Sequence, residues 1–148
     1  TKEDGYRSET IKWEWIARIR ERLSIPVIAN GEIWSHADGV RCRQVTGCAD
    51  LMVGRGALNV PNLGAVVQNG AAVMPWHQVL QLLLRYGELE VRGDKGLYFP
   101  NRIKQWFSYL RQQYPQALPL FQTLRRCTEP APILALLQQA CDAEAQAA

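Results

Sequence analysis

No stretch of this chain approaches the roughly 18 consecutive apolar residues that a membrane-spanning helix needs, so a transmembrane reading fails. Histidine is scarce: His36 and His77 stand alone, with no acid or nucleophile at a spacing that suggests catalysis, and read as surface or helix-end residues. Cysteines at 42, 48, 127 and 141 show no Cys-x-x-Cys spacing, so a zinc framework has no support, no metal is expected, and reduced structural thiols are the better reading. Neither sign of charge dominates, since the net charge is only +3. The opening Thr1-Lys-Glu-Asp-Gly-Tyr6 has no initiating Met and no signal-peptide pattern, and reads as the middle of a longer cytoplasmic protein.

Two short apolar runs carry most of what is there. Ile25-Pro-Val-Ile-Ala-Asn-Gly-Glu32 and Asp50-Leu-Met-Val-Gly-Arg-Gly56 each read as a buried parallel strand that opens into a glycine-bearing loop. A helical pattern fills the gap between them, with Ser35 and Asp38 as a capping box and Gly47 as a stop. That is one βαβ unit. In a (β/α)8 barrel the loops after the last two strands commonly form a phosphate site. Asn30, Gly31 and Glu32 offer hydrogen bonds and close backbone approach at the first strand end. Gly54 and Arg55 offer amide N–H groups and a bidentate cation at the second. The loops alone do not separate a flavin phosphate from a sugar phosphate.

The flanking segments read as helices. Ser8 can cap one that runs to about Leu23, with Ile11, Trp15, Ile16, Ile19 and Leu23 on one face. Another follows Asn59-Val-Pro-Asn and ends near Gly70. Composition changes there, and from Trp76 onward no strand is convincing. Val79, Leu80, Leu83, Tyr86 and Leu89 predict an amphipathic helix, and a Gly93-Asp-Lys-Gly96 turn leads into a second, Tyr98 to Tyr114. The inner face of that second helix is Ile103, Trp106, Phe107 and Leu110. Shorter helices follow near 117–126 and 132–143, and the Ala-rich tail is expected to fray. The five tryptophans read as packing residues, with Trp34 the least settled because it follows the first loop.

The expected fold class is therefore α/β plus all-α. Residues 1–70 form the last strands of a TIM (β/α)8 barrel, and 71–148 a small helical domain. Two parallel strands do not make a stable sheet, so the barrel part is expected to lack about six βα units.

Charge is unevenly placed. Residues 1–70 hold nine basic against eight acidic side chains, whereas 92–126 hold seven basic residues and one acid, Asp94, a balance of +6. Such an excess favours a polyanionic partner, with a solvated helix face as the competing explanation. On the second helix Tyr98, Arg102, Gln105 and Tyr109 flank the apolar stripe, and Lys104 and Arg111 extend the polar side. Cations with stacking aromatics suit folded RNA. For Arg125 and Arg126, at a helix end, favourable interaction with the helix dipole competes with RNA contact.

At Asn30-Gly-Glu-Ile, Gly54-Arg-Gly-Ala-Leu-Asn and Arg102-Ile-Lys-Gln-Trp106 the sequence resembles the tRNA-dihydrouridine synthases. It is most similar to their bacterial C-type members, which act on uridine 16 of the D-loop. Gly93-Asp-x-Gly-Leu-Tyr98 with Arg-Ile-Lys-Gln-Trp-x-Ser-Tyr-Leu-Arg111 is the most specific part of the likeness. The resemblance implies an FMN-binding barrel, reduction of FMN by NADPH, hydride transfer to C6 of uracil, and a helical domain that helps hold tRNA. It implies Asn30, Gly31, Glu32, Gly54 and Arg55 at the FMN phosphate, where many relatives have Asp in place of Glu32. It implies Tyr6, Arg102, Lys104, Tyr109 and Arg125 as tRNA contacts. The family's catalytic cysteine, and its lysine and histidine near the flavin, belong to strands before Thr1. No catalytic residue is therefore expected in this chain, which is predicted inactive alone, and the complete enzyme is expected to be a monomer. Two alternatives stay open: another FMN barrel reducing a small molecule, and a non-catalytic tRNA-binding fragment.

Overall fold

A computed structural model describes residues 11–147. The chain divides into two compact units, with the boundary between Val73 and Met74.

In the first unit the elements run α1 (Trp13–Arg20), β1 (Ala29–Asn30), α2 (His36–Thr46), β2 (Leu51–Met52), α3 (Gly56–Asn59) and α4 (Leu63–Asn69). The two strands pair in parallel, Ala29 beside Leu51 and Asn30 beside Met52, and α2 connects them. Local chemistry sets the ends of α2. The Ser35 hydroxyl accepts the Asp38 N–H at 3.1 Å, the Asp38 carboxylate accepts the Trp34 N–H at 3.1 Å, and Gly47 closes the helix at φ +67°. Gly70 ends α4 the same way at φ +65°. Helices α1 and α4 both pack on α2. The last is close because Gly39 has no side chain: a Cβ there would lie 2.6 Å from Val67 Cγ1. The core is Ala29, Ile33, Cys42, Cys48, Val60, Leu63, Val66 and Val67. Thr46, buried among them, donates to the Cys42 carbonyl at 2.7 Å and accepts the Cys48 N–H at 3.1 Å. Burial, and then the neighbouring Cys48, pushes the Cys42 thiol upward, which keeps it protonated and apolar.

Three expectations need correction in this unit. The strands, read from the sequence as buried over residues 25–29 and 49–53, are each two residues long. Ala29 faces the core, but on the opposite face Ile28 and Met52 are 62% and 54% exposed. A sheet face without neighbours gains nothing from apolar side chains, and an unpaired edge does not propagate. The first helix was expected from Ser8, which lies outside the described residues, and it begins only at Trp13. Ile11 instead packs beside Gly31, and the Trp13 indole N–H donates to the Gly31 carbonyl at 3.1 Å. Trp15, expected to pack, is exposed together with Ile19 and Leu23, and lies beneath the Arg18 guanidinium.

The second unit is all helix: α5 (Trp76–Asp94), α6 (Phe99–Gln113), α7 (Ala117–Leu124) and α8 (Pro130–Ala147). Its core is larger and continuous, with Val79, Leu80 and Leu83 from α5, Phe99, Ile103, Phe107 and Leu110 from α6, and Leu124, Ile133 and Leu137 beyond. Trp76 packs on Phe107 and Tyr114, and Phe107 stacks on Phe121. Gly87 lets α5 approach its neighbours, since a Cβ there would sit 2.6 Å from Leu134 Cδ2 and 2.8 Å from Phe99 Cζ. The turn expected over 93–96 is tighter than the sequence implied. Helix α5 runs through Asp94, and Lys95 and Gly96 make the reversal at φ +60° and +71°. The tail does not fray at Ala143 as expected, because Ala, Glu and Gln are strong helix formers and α8 continues to Ala147.

Candidate functional site

The parallel pairing of β1 and β2 brings the two glycine loops side by side. After Asn30 the backbone turns sharply, with Gly31 at φ +113° and Glu32 at φ +45°. The second value lies in the left-handed region, which a non-glycine residue occupies at a cost. Two contacts hold it there. One Glu32 carboxylate oxygen accepts the Trp34 indole N–H at 2.7 Å, and the other accepts Arg55 Nη2 in an ion pair that bridges the loops. The Arg55 guanidinium also lies over the Trp34 ring, 5.8 Å from its centroid.

Gly56 makes this proximity possible. A Cβ at Gly56 would stand 2.6 Å from the Ile33 carbonyl oxygen and 2.7 Å from Leu63. Sequence reasoning took Gly56 as loop chemistry and missed this role, although the Gly-Arg-Gly spacing was the available signal. Gly54, by contrast, has nothing among the described residues within 4 Å of a Cβ position, so among them the space above it is open.

Asn30, Gly31, Glu32, Gly54 and Arg55 are thus brought together. Arg55, read from the sequence as a bidentate cation, is paired with Glu32, which balances its charge. A guanidinium carries five N–H donors in a fixed fork, so engaging one amine leaves donors for an anion. The Asn30 side chain is exposed, and amides at a helix start have no intrahelical acceptor. This donor set fits a phosphate monoester.

In the second unit the expected contacts fall on α6 and the end of α7. Tyr6 lies outside the described residues. Arg102 Nη1 donates to both carboxylate oxygens of Glu90 on α5, at 2.8 and 2.6 Å, and its guanidinium lies 5.1 Å from the Tyr98 ring centroid. Hydrogen bonding to Glu90 raises the already high Arg102 pKa. Tyr86, one turn before Glu90 on α5, lies beside the same pair. Burial first, then the Glu90 charge, raises its phenol pKa. Glu90 was not singled out from sequence, and Tyr86 was read only as part of the apolar face of its helix, because both lie on the helix before Arg102.

Lys104 is two positions beyond Arg102 and so about 200° round the helix, at the other edge of the solvated arc. Lys104 and Tyr109 are half-buried, whereas Arg125, at the α7 C-terminus, is exposed. Among the described residues, Lys104, Arg125 and Arg126 form no ion pair. No group of three or more potential metal ligands occurs among the described residues, and no helix there is long and apolar enough to cross a membrane.

The sequence matches the family described as dihydrouridine synthase (Dus) over residues 1–146. It is 61% identical over 134 residues to the tRNA-dihydrouridine(16) synthase of Vibrio cholerae, a match covering 90% of this chain and 42% of the relative. The Vibrio vulnificus protein of that name is 60% identical over 129 residues, covering 87% of this chain and 41% of the relative. The Escherichia coli K12 protein of that name is 51% identical over 144 residues, covering 97% and 45%. The chain spans less than half the length of these curated relatives.

Proposed function

The chain belongs to the dihydrouridine synthase family, and from that premise we propose that it is part of a flavin-dependent enzyme that reduces the C5=C6 bond of a uridine in the tRNA D-loop, at position 16. Residues to Val73 are the closing strands of a TIM barrel, and those from Met74 a helical tRNA-binding domain. The observation that carries the reading is the meeting of two glycine loops at the C-terminal ends of adjacent parallel strands, where barrels of this kind bind phosphate. The exposed face of Ile28 and Met52 is the face that other strands cover in a closed barrel.

The cofactor is FMN. When bound, it supplies hydride drawn from NADPH and delivered to uracil C6. The chain's own residues act by binding and orientation. Arg55 and Asn30 donate to the phosphate, Gly31 and Gly54 let the backbone approach it, and Glu32 fixes Arg55. On the helical domain Arg102, Lys104 and Arg125 bind tRNA phosphates, and Tyr109 supports the RNA. A base within folded RNA must be extruded to meet the flavin, and the helical domain governs which nucleotide arrives. No residue of this chain is assigned proton transfer, so the chain alone, supplied with FMN, NADPH and tRNA, forms no dihydrouridine. Product in that assay would overturn the division of labour. The complete enzyme is a cytoplasmic monomer.

Two measurements test the two halves. Lys104→Glu weakens tRNA binding several-fold and flattens its salt dependence, and an unchanged salt slope would count against RNA contact. In a chimera of this chain with the N-terminal part of the Vibrio cholerae relative, Arg55→Ala lowers FMN retained after dialysis. Full FMN content would sink the phosphate assignment.

A further inference from the structure

The acid beside Arg102 is out of place on a surface read as RNA-binding. Glu90 adds negative charge where a polyanion should land, and by long-range electrostatics alone it weakens binding. Its geometry points the other way. The Glu90 side chain is only 16% exposed and Arg102 is 49% exposed, so the carboxylate lies beneath the cation. Both carboxylate oxygens are engaged by Arg102 Nη1, and the guanidinium lies against the exposed Tyr98 ring. Below them Tyr86 packs against Phe99 and Trp106, which fixes the base of the arrangement in the helical core.

We propose that Glu90 is a positioning residue for RNA binding: seated on Tyr86, it holds the Arg102 guanidinium against Tyr98 so that its remaining donors face a phosphate of folded RNA. The inference rests on the reading of Arg102 as an RNA contact. Arginine has a long side chain with much rotamer freedom, and a cation that is already ordered loses less of it on binding. Nη1 meets both carboxylate oxygens of Glu90, which leaves the other N–H groups of the guanidinium for a phosphate oxygen. The acid thus gives up some attraction in exchange for a fixed direction.

Simple electrostatics and positioning predict opposite signs, which makes the test decisive. Binding of an unmodified tRNA transcript to the 148-residue chain is measured across a salt series for wild type, Glu90→Gln, Arg102→Ala and the double variant. Positioning predicts that Glu90→Gln, which removes a negative charge, weakens binding about three- to tenfold. The salt slope falls by up to about one unit as the phosphate contact is lost. In the Arg102→Ala background the same change has no effect. Tyr86→Phe, which keeps the ring packing, gives a weaker loss in the same direction and guards against a folding artefact at Glu90. If Arg102→Ala weakens binding while Glu90→Gln tightens it or leaves it unchanged, the positioning role is overturned and the RNA contact stands. If Arg102→Ala has no effect, the contact itself is wrong and the inference falls with it.

Discussion

The two units differ in how much of their apolar surface they bury. From Met74 onward Phe99, Phe107, Leu80, Leu83, Ile103, Leu110, Leu124, Ile133 and Leu137 are all fully buried by elements of the same unit, while Leu89, Leu97 and Leu118 stay exposed around that core. Before Val73 the core is a thin layer between α2, α4 and one side of two short strands, and Ile25, Ile28, Met52, Trp15 and Ile19 face outward. The difference follows from the elements. A helix satisfies its own backbone and needs only one apolar stripe covered. A parallel strand needs partners on both edges and cover on both faces. The helical unit covers its central stripes from within, whereas the outward sheet face of the strand-bearing unit has no cover among the described residues.

Core truncation should separate the two sides of this contrast most strongly. Phe107→Ala removes a ring that packs on Trp76 and stacks on Phe121, and should cost about 3–5 kcal/mol in denaturant unfolding. Its effect should appear in the emission of Trp76 and Trp106, the tryptophans of that unit. Ile28→Ser, equally apolar in origin but exposed, should move stability by no more than about 0.5 kcal/mol. A large loss at Ile28 would mean that the exposed face is already packed in solution, and would break the comparison.

How far the sequence announced this division depends on whether the information was local. The cap at Ser35 and Asp38, the stops at Gly47 and Gly70 and the inner stripe of Ile103, Phe107 and Leu110 were all readable, because each is fixed by residues within a turn or two. The length of the strands was not, because pairing is set by neighbours rather than by the strand's own residues. The ion pairs are the same lesson in charge. Counting from Arg92 to Arg126 gives an almost purely basic segment, yet Glu90, just outside that window, is brought back onto Arg102 by the reversal at Lys95 and Gly96. Likewise Glu32 and Arg55 were each legible as phosphate-loop residues, but their mutual pairing needed the register of Asn30 beside Met52.

A mid-sized effect sharpens the contrast at the helix crossings. Gly87→Ala places a methyl group against both the half-buried Leu134 and the fully buried Phe99 ring, which has little room to retreat, and should cost about 1–3 kcal/mol. Gly39→Ala in the first unit meets chiefly Val67 Cγ1, at the same 2.6 Å. Val67 belongs to a short helix over a thin core, so that unit should yield more easily and lose less. Equal losses, measured as shifts in the two unfolding transitions, would show that the first unit is packed as rigidly as the second.

The smallest expected effect concerns alkaline pH and belongs to the helical unit alone. Tyr114 is buried beside Trp76, and its hydroxyl donates to the Met74 carbonyl at 2.9 Å. Burial pushes its phenol above the ordinary value of 10.0, because the phenolate would be desolvated. The folded state therefore keeps a proton that the unfolded chain releases, so this stabilisation is complete below pH 10 and is lost as the pH rises through the folded pKa. Tyr86, raised for the same first reason, adds in the same direction. Tyr114→Phe should lose about 1 kcal/mol at neutral pH through the missing hydrogen bond. It should also unfold with a shallower dependence on pH above 10 than the parent chain. Parallel stability curves for the two proteins across that range would remove Tyr114 as the alkaline-sensitive group and leave Tyr86 to account for the slope.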